Sequence, residues 1–277
     1  MKPLSVTRSG FLSAGATVRD MLEQLSRYID VIFVLSQREV RSRFSSSRLG
    51  YLWAFITPIG WIGLLAVTFG VIGRPAPIHS DIVTFLMTGM LPYIMFRTTI
   101  TSMMRTAASG RHLVLFGAVR HSDLLLTTAM LEYGNGLVIY MFFLLANFLV
   151  MGEFVMHNLV LVLCGYSFAW ALGASFGRMA AMLGRVSDGA GKAVPLLLRP
   201  LFLLSGVFYT ANELPTNVIA WMAYNPLFHA IEMIRDGVFF AYTSRLTDPF
   251  IPILYIVGFS LVSFVLEMSI KKGRGDD

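Results

Sequence analysis

The stretch Tyr51–Gly73, YLWAFITPIGWIGLLAVTFGVIG, holds 23 residues and no charge. About 20 mostly apolar helical residues cross the hydrocarbon core of a bilayer, so this run is long enough to span it. Reading outward, similar runs follow. They are about Ile82–Met104, interrupted by Arg97; about Leu124–Met151, with Glu132 early in it; about Asn158–Gly177; and about Phe250–Ile270. Over all 277 residues, 56% are hydrophobic and 14% charged, where a soluble domain is about 25% charged. That balance excludes a conventional soluble enzyme, a disordered tail and a secreted disulfide scaffold. The single cysteine, Cys164, excludes an intramolecular disulfide and a cysteine metal cluster.

The region after Gly177 is less regular. Pro200–Asn212 is charge-free for only 13 residues, about 20 Å of helix and too short to cross. Extended back to Ala193 it becomes a full span, provided that Arg199 snorkels to the headgroups. The next apolar stretch, Leu214–Ile231, is broken by Pro215, Asn217, Asn225 and Pro226. It reads as part of a re-entrant outer hairpin over about 213–240, since broken backbone at membrane depth is tolerated where protein or a water-filled cavity buries it. Six spans with the N-terminus inside put 18 Lys/Arg on the cytoplasmic side and 3 outside, with Arg97 left within a span. That asymmetry orients the chain with both termini cytoplasmic. A seventh crossing would put the KKGR tail outside. The expected fold is therefore all-α, with six transmembrane helices in one membrane domain over 49–277. A cytoplasmic tail (1–26) and an amphipathic surface helix (27–48) precede it. No signal peptide is expected, because the first 27 residues lack an apolar core and a small-residue cleavage site. The net charge of +6 reads as basic cytoplasmic loops rather than as a nucleic-acid surface.

Few residues promise bond-making chemistry. HExxH and GxSxG are absent, and His79, His112, His121, His157 and His229 are scattered among separate loops, so no metal site is expected. The segment Gly184–Ala193, GRVSDGAGKA, imitates a phosphate loop. Val186 and Ala193 stand where the first glycine and the Mg²⁺-binding hydroxyl belong, and no strand precedes it. ATP hydrolysis and bound cofactors are accordingly not expected in this chain. Gly165, Ala169, Gly173, Gly177 and Ala181, four residues apart, form a smooth ridge for close helix approach, either within one chain or between two copies. By depth, Arg97 and Glu132 both fall in the inner half of the bilayer, which allows an ion pair or a path for an anionic solute. Arg38, Arg41, Arg43 and Arg48 crowd the cytoplasmic side of the first span, suited to anionic lipids or to acidic headgroups. Trp53, Trp61 and Tyr93, and on the hairpin side Tyr209, Trp221 and Tyr224, suit interfacial belts or stacking against sugar faces. Arg105–Asp123 frames a short apolar centre with basic residues, as a helix docking on a soluble partner would.

Four segments in this order carry a resemblance. They are REVRSRFSSSRLGYLWAFITPI into the first span, TGMLPYIMFR in the second, GRVSDGAGKAVPLLLRPLFLLSGVFYTANELP through the fifth, and YNPLFHAIEMIRDGVF in the hairpin. Together they resemble the permease subunits of ABC polysaccharide exporters, most closely the KpsM-like capsular-polysaccharide family, with O-antigen and teichoic-acid permeases as siblings. The resemblance implies a homodimer in the bacterial inner membrane, carrying two nucleotide-binding ATPase subunits that hold ATP and Mg. It implies export of a lipid-linked polysaccharide through a channel between protomers. A periplasmic co-polymerase and an outer-membrane exporter would continue the path. By position, 27–48 corresponds to an interface or gate helix. The segment 109–119, with Arg105, Arg111, His112, Leu113, Phe116 and Arg120 in and around it, corresponds to the coupling helix seated on the ATPase. Spans 1 and 5 would line the channel, and the hairpin would cap it. The substrate pathway is then expected to include Arg38, Arg41, Arg43, Arg48, Trp53, Trp61, Tyr93, Arg97, Tyr209, Trp221 and Tyr224.

Overall fold

The computed structural model describes residues 36–37, 52–78, 81–110, 120–152 and 156–273. Most of the expected surface helix 27–48 and residues 111–119 of the expected coupling segment lie outside these residues. Among the described residues the fold is all-helical, with no strand: α1 Trp53–Ile72, α2 Ile82–Ser109, α3 His121–Met151, α4 Leu159–Val186, α5 Asp188–Leu204, α6 Thr216–Met222, α7 Pro226–Val238 and α8 Phe250–Gly273. Four of them, α1, α3, α4 and α8, are long and apolar enough to cross a membrane.

Local chemistry sets several boundaries. The Asp81 carboxylate accepts from the Thr84 N–H at 3.0 Å and starts α2. The Asn158 side chain accepts from the Val160 and Leu161 amides and starts α4. Asn225 does the same for Leu227 and Phe228, with Pro226 at the first helical position, where no N–H is needed. The stretch Leu214–Ile231 is thus not one continuous helix. It divides into α6, of 7 residues, and α7, of 13.

The fourth and fifth segments differ from expectation at their ends. α4 continues past Gly177 to Val186, and α5 runs over Asp188–Leu204 rather than Ala193–Asn212. Ser187, in an extended conformation, is the only break between the two helices. α5 stops where Gly206 takes a φ of 75°. That left-handed turn is open to glycine, and a Cβ there would lie 2.6 Å from the Phe228 ring. The segment that imitates a phosphate loop is therefore the end of α4 and the start of α5.

α2 and α4 form the centre of the bundle. α2 is buried along most of its length, and its low apolarity comes from Arg97 and Arg105 together with hydroxyls, several of them turned inward and bonded to the backbone. Thr88 donates to the Phe85 carbonyl at 2.7 Å and Thr99 to Met95 at 2.8 Å. α3 runs antiparallel beside α2, with Thr84 against Asn147 at one end and Thr128 against Thr106 at the other. The small-residue ridge of α4 serves packing within the chain. A Cβ on Gly165 would fall 2.6 Å from the Ala230 carbonyl oxygen of α7, and one on Gly173 would fall 2.8 Å from the Phe96 carbonyl oxygen of α2. Backbones this close gain dispersion contacts that longer side chains would prevent. α1 and α8 lie on the outside and leave most of their apolar side chains exposed.

Candidate transport groove

Helical phase divides the polar residues of α2 into two stripes. Tyr93, Arg97 and Thr101, four apart, face a groove of about 380 Å³ closed by Trp61 of α1 and by Leu198, Arg199 and Phe202 of α5. Thr98, Ser102 and Arg105 face a larger cavity, about 700 Å³, shared with Trp53 and Thr57 of α1 and with Glu132 and Asn135 of α3. One residue along a helix turns about 100°, so Arg97 and Thr98 look into different spaces.

The smaller groove is firmly built. The Tyr93 hydroxyl donates to the Leu198 carbonyl at 2.6 Å and pins α2 to α5. Its ring packs against Phe202 with centroids 4.8 Å apart, and Phe202 meets Phe208 edge-on at 5.0 Å. Arg97 and Arg199 are both exposed on its wall. In the larger cavity Glu132 is buried.

The structure brings together Trp61, Tyr93 and Arg97 of the expected pathway. It adds Arg199 and Phe202, which the sequence reading had not placed there. Trp53 lines the larger cavity instead. Arg97 and Glu132, expected within reach of each other by depth, line different cavities, separated by about 100° of helical phase on α2. On the hairpin side, the Tyr209 hydroxyl donates to the Leu203 carbonyl at 3.1 Å and its ring lies 6.0 Å from that of Phe228. Trp221 and Tyr224 are 77% and 69% exposed. Arg105 and Arg120 are exposed at neighbouring helix ends, where Thr106 and Thr128 join α2 to α3. Arg38, Arg41, Arg43, Arg48, Arg111, His112, Leu113 and Phe116 lie outside the described residues.

Sequence reasoning missed the strongest electrostatic feature. Glu232 and Arg235 on α7 have fully buried side chains and pair at 2.9 Å. Arg235 also donates to the Tyr209 carbonyl at 2.7 Å and to the Val207 carbonyl at 3.3 Å, and it lies 4.4 Å over the Phe85 ring. Glu232 accepts from the Ala211 amide, the Ser244 hydroxyl and the Tyr242 hydroxyl. Gly89 makes room for the pair, because a Cβ there would lie 3.0 Å from the guanidinium. The cluster clamps α7 to α2 and to the turn after α5. The available signal was Glu and Arg three apart within the otherwise apolar AIEMIR, the spacing at which helix side chains meet. A second pair, Arg178–Glu267 at 2.7 Å, ties α4 to α8.

A helical bundle with four helices long and apolar enough to cross a membrane, and with a basic, aromatic groove between its helices, has the build of an integral membrane protein. Comparison with known proteins narrows the class. Residues 30–239 match the family described as ABC-2 type transporter, and the chain belongs to that family. It is 24% identical over 237 residues to the polysialic acid transport protein KpsM of Escherichia coli, covering 86% of this chain and 90% of that protein. It is 26% identical over 259 residues to the capsule polysaccharide export inner-membrane protein CtrC of Neisseria meningitidis serogroup B, covering 91% and 95%. With the O-antigen export system permease protein RfbA of Klebsiella pneumoniae it shares 21% identity over 249 residues, covering 87% and 91%. The chain is thus a multi-pass membrane protein of the ABC-2 permease class.

Proposed function

We propose that this chain is the membrane subunit of an ATP-driven exporter. It moves a lipid-linked, acidic capsular polysaccharide across the bacterial inner membrane, through a channel between two copies of itself. The observation that carries this reading is the groove joining Trp61, Tyr93 and Arg97 to Arg199 and Phe202. Its rings offer faces for sugars and its guanidiniums offset negative charge. Its walls are α1 and α5, the helices that the family resemblance assigns to the channel. On α1, Trp53, Trp61, Leu64 and Val67 are exposed, an apolar flank suited to a second copy.

In this reading α1, α2, α3, α4, α5 and α8 are the six crossings, and α6 with α7 is the re-entrant outer pair. At 28 residues α2 is about 42 Å long. It meets protein rather than lipid along most of its length, so it need not be uniformly apolar. Both termini then face the cytoplasm. Two ATPase subunits supply the energy, with ATP and Mg held there, and contact the chain through the segment 109–119 between Arg105 and Arg120. The gate helix 27–48 and Arg38, Arg41, Arg43 and Arg48 gather the polymer, while Tyr209, Trp221 and Tyr224 line its exit. A periplasmic co-polymerase and an outer-membrane exporter continue the route. Closure of the ATPases on ATP, transmitted through both cytoplasmic helices, opens the path along α1 and α5. A relative named for O-antigen export supports a second substrate class; two arginines in one groove favour an acidic polymer over a neutral one.

The test is a mild-detergent pull-down from the native host with partners identified and counted. Two copies of the chain with two Walker-type ATPases, and ATP turnover requiring both subunits, are expected. Recovery without any ATPase, in detergents that keep other membrane complexes intact, would remove the energy source and the reading with it.

A further inference from the structure

We infer that Arg97 and Arg199 together form an oxyanion seat, a built binding site for a carboxylate or phosphate group in the groove between α1, α2 and α5. The inference deepens the export reading and rests on it for the polymer as a source of that group.

Charge comes first. The residues lining the groove include two arginines and no aspartate or glutamate. Among the described residues neither guanidinium takes part in a hydrogen bond or an ion pair. Two other arginines in the bundle are held in place, Arg178 by Glu267 and Arg235 by Glu232 and two carbonyls, while Arg105, exposed on the larger cavity, shares that cavity with Glu132. Two like charges left facing one apolar groove are unfavourable until an anion joins them. A forked guanidinium matches carboxylate and phosphate oxygens two at a time.

The surroundings are fixed rather than adaptable. The Tyr93 hydroxyl is used on the Leu198 carbonyl, next in sequence to Arg199 and one helical turn from Arg97 along α2. That bond holds the two arginine-bearing helices together. The Thr101 hydroxyl is likewise used on the backbone, donating to the Arg97 and Thr98 carbonyls at 3.0 and 3.2 Å. With both hydroxyls engaged, the guanidiniums and the Trp61 indole N–H are the side-chain donors left for a ligand. Trp61, Tyr93 and Phe202 add aromatic surface and apolar wall beside the two guanidiniums. A neutral sugar would gain the ring faces and leave both charges unmatched.

The test uses the full chain, purified with whatever subunits accompany it, in phosphatidylcholine nanodiscs. The probe is fluorescent oligogalacturonate, compared with a neutral maltooligosaccharide of equal length, and binding is read by anisotropy. Preferential, salt-sensitive binding of the acidic probe is expected. Arg97→Gln and Arg199→Gln should each weaken it about tenfold, as loss of a charge-assisted hydrogen bond does. Arg97→Lys should fall between wild type and Arg97→Gln. A second arm adds phosphatidic acid to the nanodiscs. Displacement of the probe by that lipid, dependent on both arginines, assigns the seat to a lipid phosphate, while displacement by acidic oligosaccharide alone assigns it to the polymer. Equal acidic-probe binding by wild type and the double variant, at equal yield, overturns the seat. If the variants do not fold, phenylglyoxal labelling of the wild-type protein decides. Protection of Arg97 and Arg199 by either anion, but not by the neutral sugar, is expected, and labelling unaffected by both anions refutes it. A pull-down without an ATPase would sink the export reading and leave this binding result standing; the reverse combination would sink only the seat.

Discussion

Arg235 on α7 has no exposed surface and is held by Glu232, two backbone carbonyls and the Phe85 ring. Arg97 on α2 is open to a groove, with a second arginine opposite it and no acid on the wall. Both lie in sequence among apolar residues. The difference is one of compensation. A buried guanidinium costs several kcal/mol of desolvation unless its donors are matched, and most of the donors of Arg235 are. Arg97 is exposed in its groove, and its guanidinium has no hydrogen-bond or ion-pair partner among the described residues. The hairpin region uses charge to hold helices in place, and the groove region holds helices with Tyr93 and leaves its two arginines without acidic partners.

The sharpest way to break this contrast is Arg235→Met. It leaves the Glu232 carboxylate buried without its cation, and a loss of about 3–5 kcal/mol is expected, read as lost folded yield and a lower melting temperature in detergent. Adding Glu232→Gln should recover part of it. Gly165→Ala asks whether close backbone approach seats α7 as firmly as the ion pair does. With a Cβ 2.6 Å from the Ala230 carbonyl oxygen, overpacking should cost about 1–3 kcal/mol in the same melting assay. Arg178→Gln falls between the two regions, because its pair with Glu267 is only partly covered. A loss of about 1 kcal/mol is expected, smaller at high salt. Arg97→Ala should move stability least, by no more than about 0.5 kcal/mol, as for an exposed side chain without partners. A melting shift as large as that of Arg235→Met would erase the distinction.

Much of the fold is legible in sequence because apolar length and charge-free runs are direct consequences of a bilayer's thickness. Tyr51–Gly73, Leu124–Met151 and Phe250–Ile270 lie close to α1, α3 and α8. The break at Pro226 is equally readable, since proline fits the first turn of a helix and disrupts its interior. Depth, however, is a one-dimensional quantity. It brought Arg97 and Glu132 to similar heights, while their facing depends on helical phase, and phase separates Arg97 from Thr98 and the Glu132 cavity. The stripe Tyr93, Arg97, Thr101 was present in the sequence at a spacing of four and would have given the direction. Arg199 read as a residue reaching for headgroups because nothing in sequence shows that α5 is pinned to α2. As a single residue, Arg235 entered the sequence reading only among the three Lys/Arg counted outside, where a cation past an apolar run belongs to the aqueous side, and Glu232 did not enter it. Tertiary burial by α2 and by the Tyr209 turn reverses that assignment.

The most direct measurement is export of acidic polysaccharide per assembled complex, compared between wild type and the Arg97→Ala, Arg199→Ala double variant in a host lacking the native gene. Normal amounts of assembled complex with export reduced at least about tenfold are expected if the groove is the polymer's path and its arginines carry the charge. Wild-type export by the double variant at equal complex levels would contradict it, and would make these arginines as structural as Arg235.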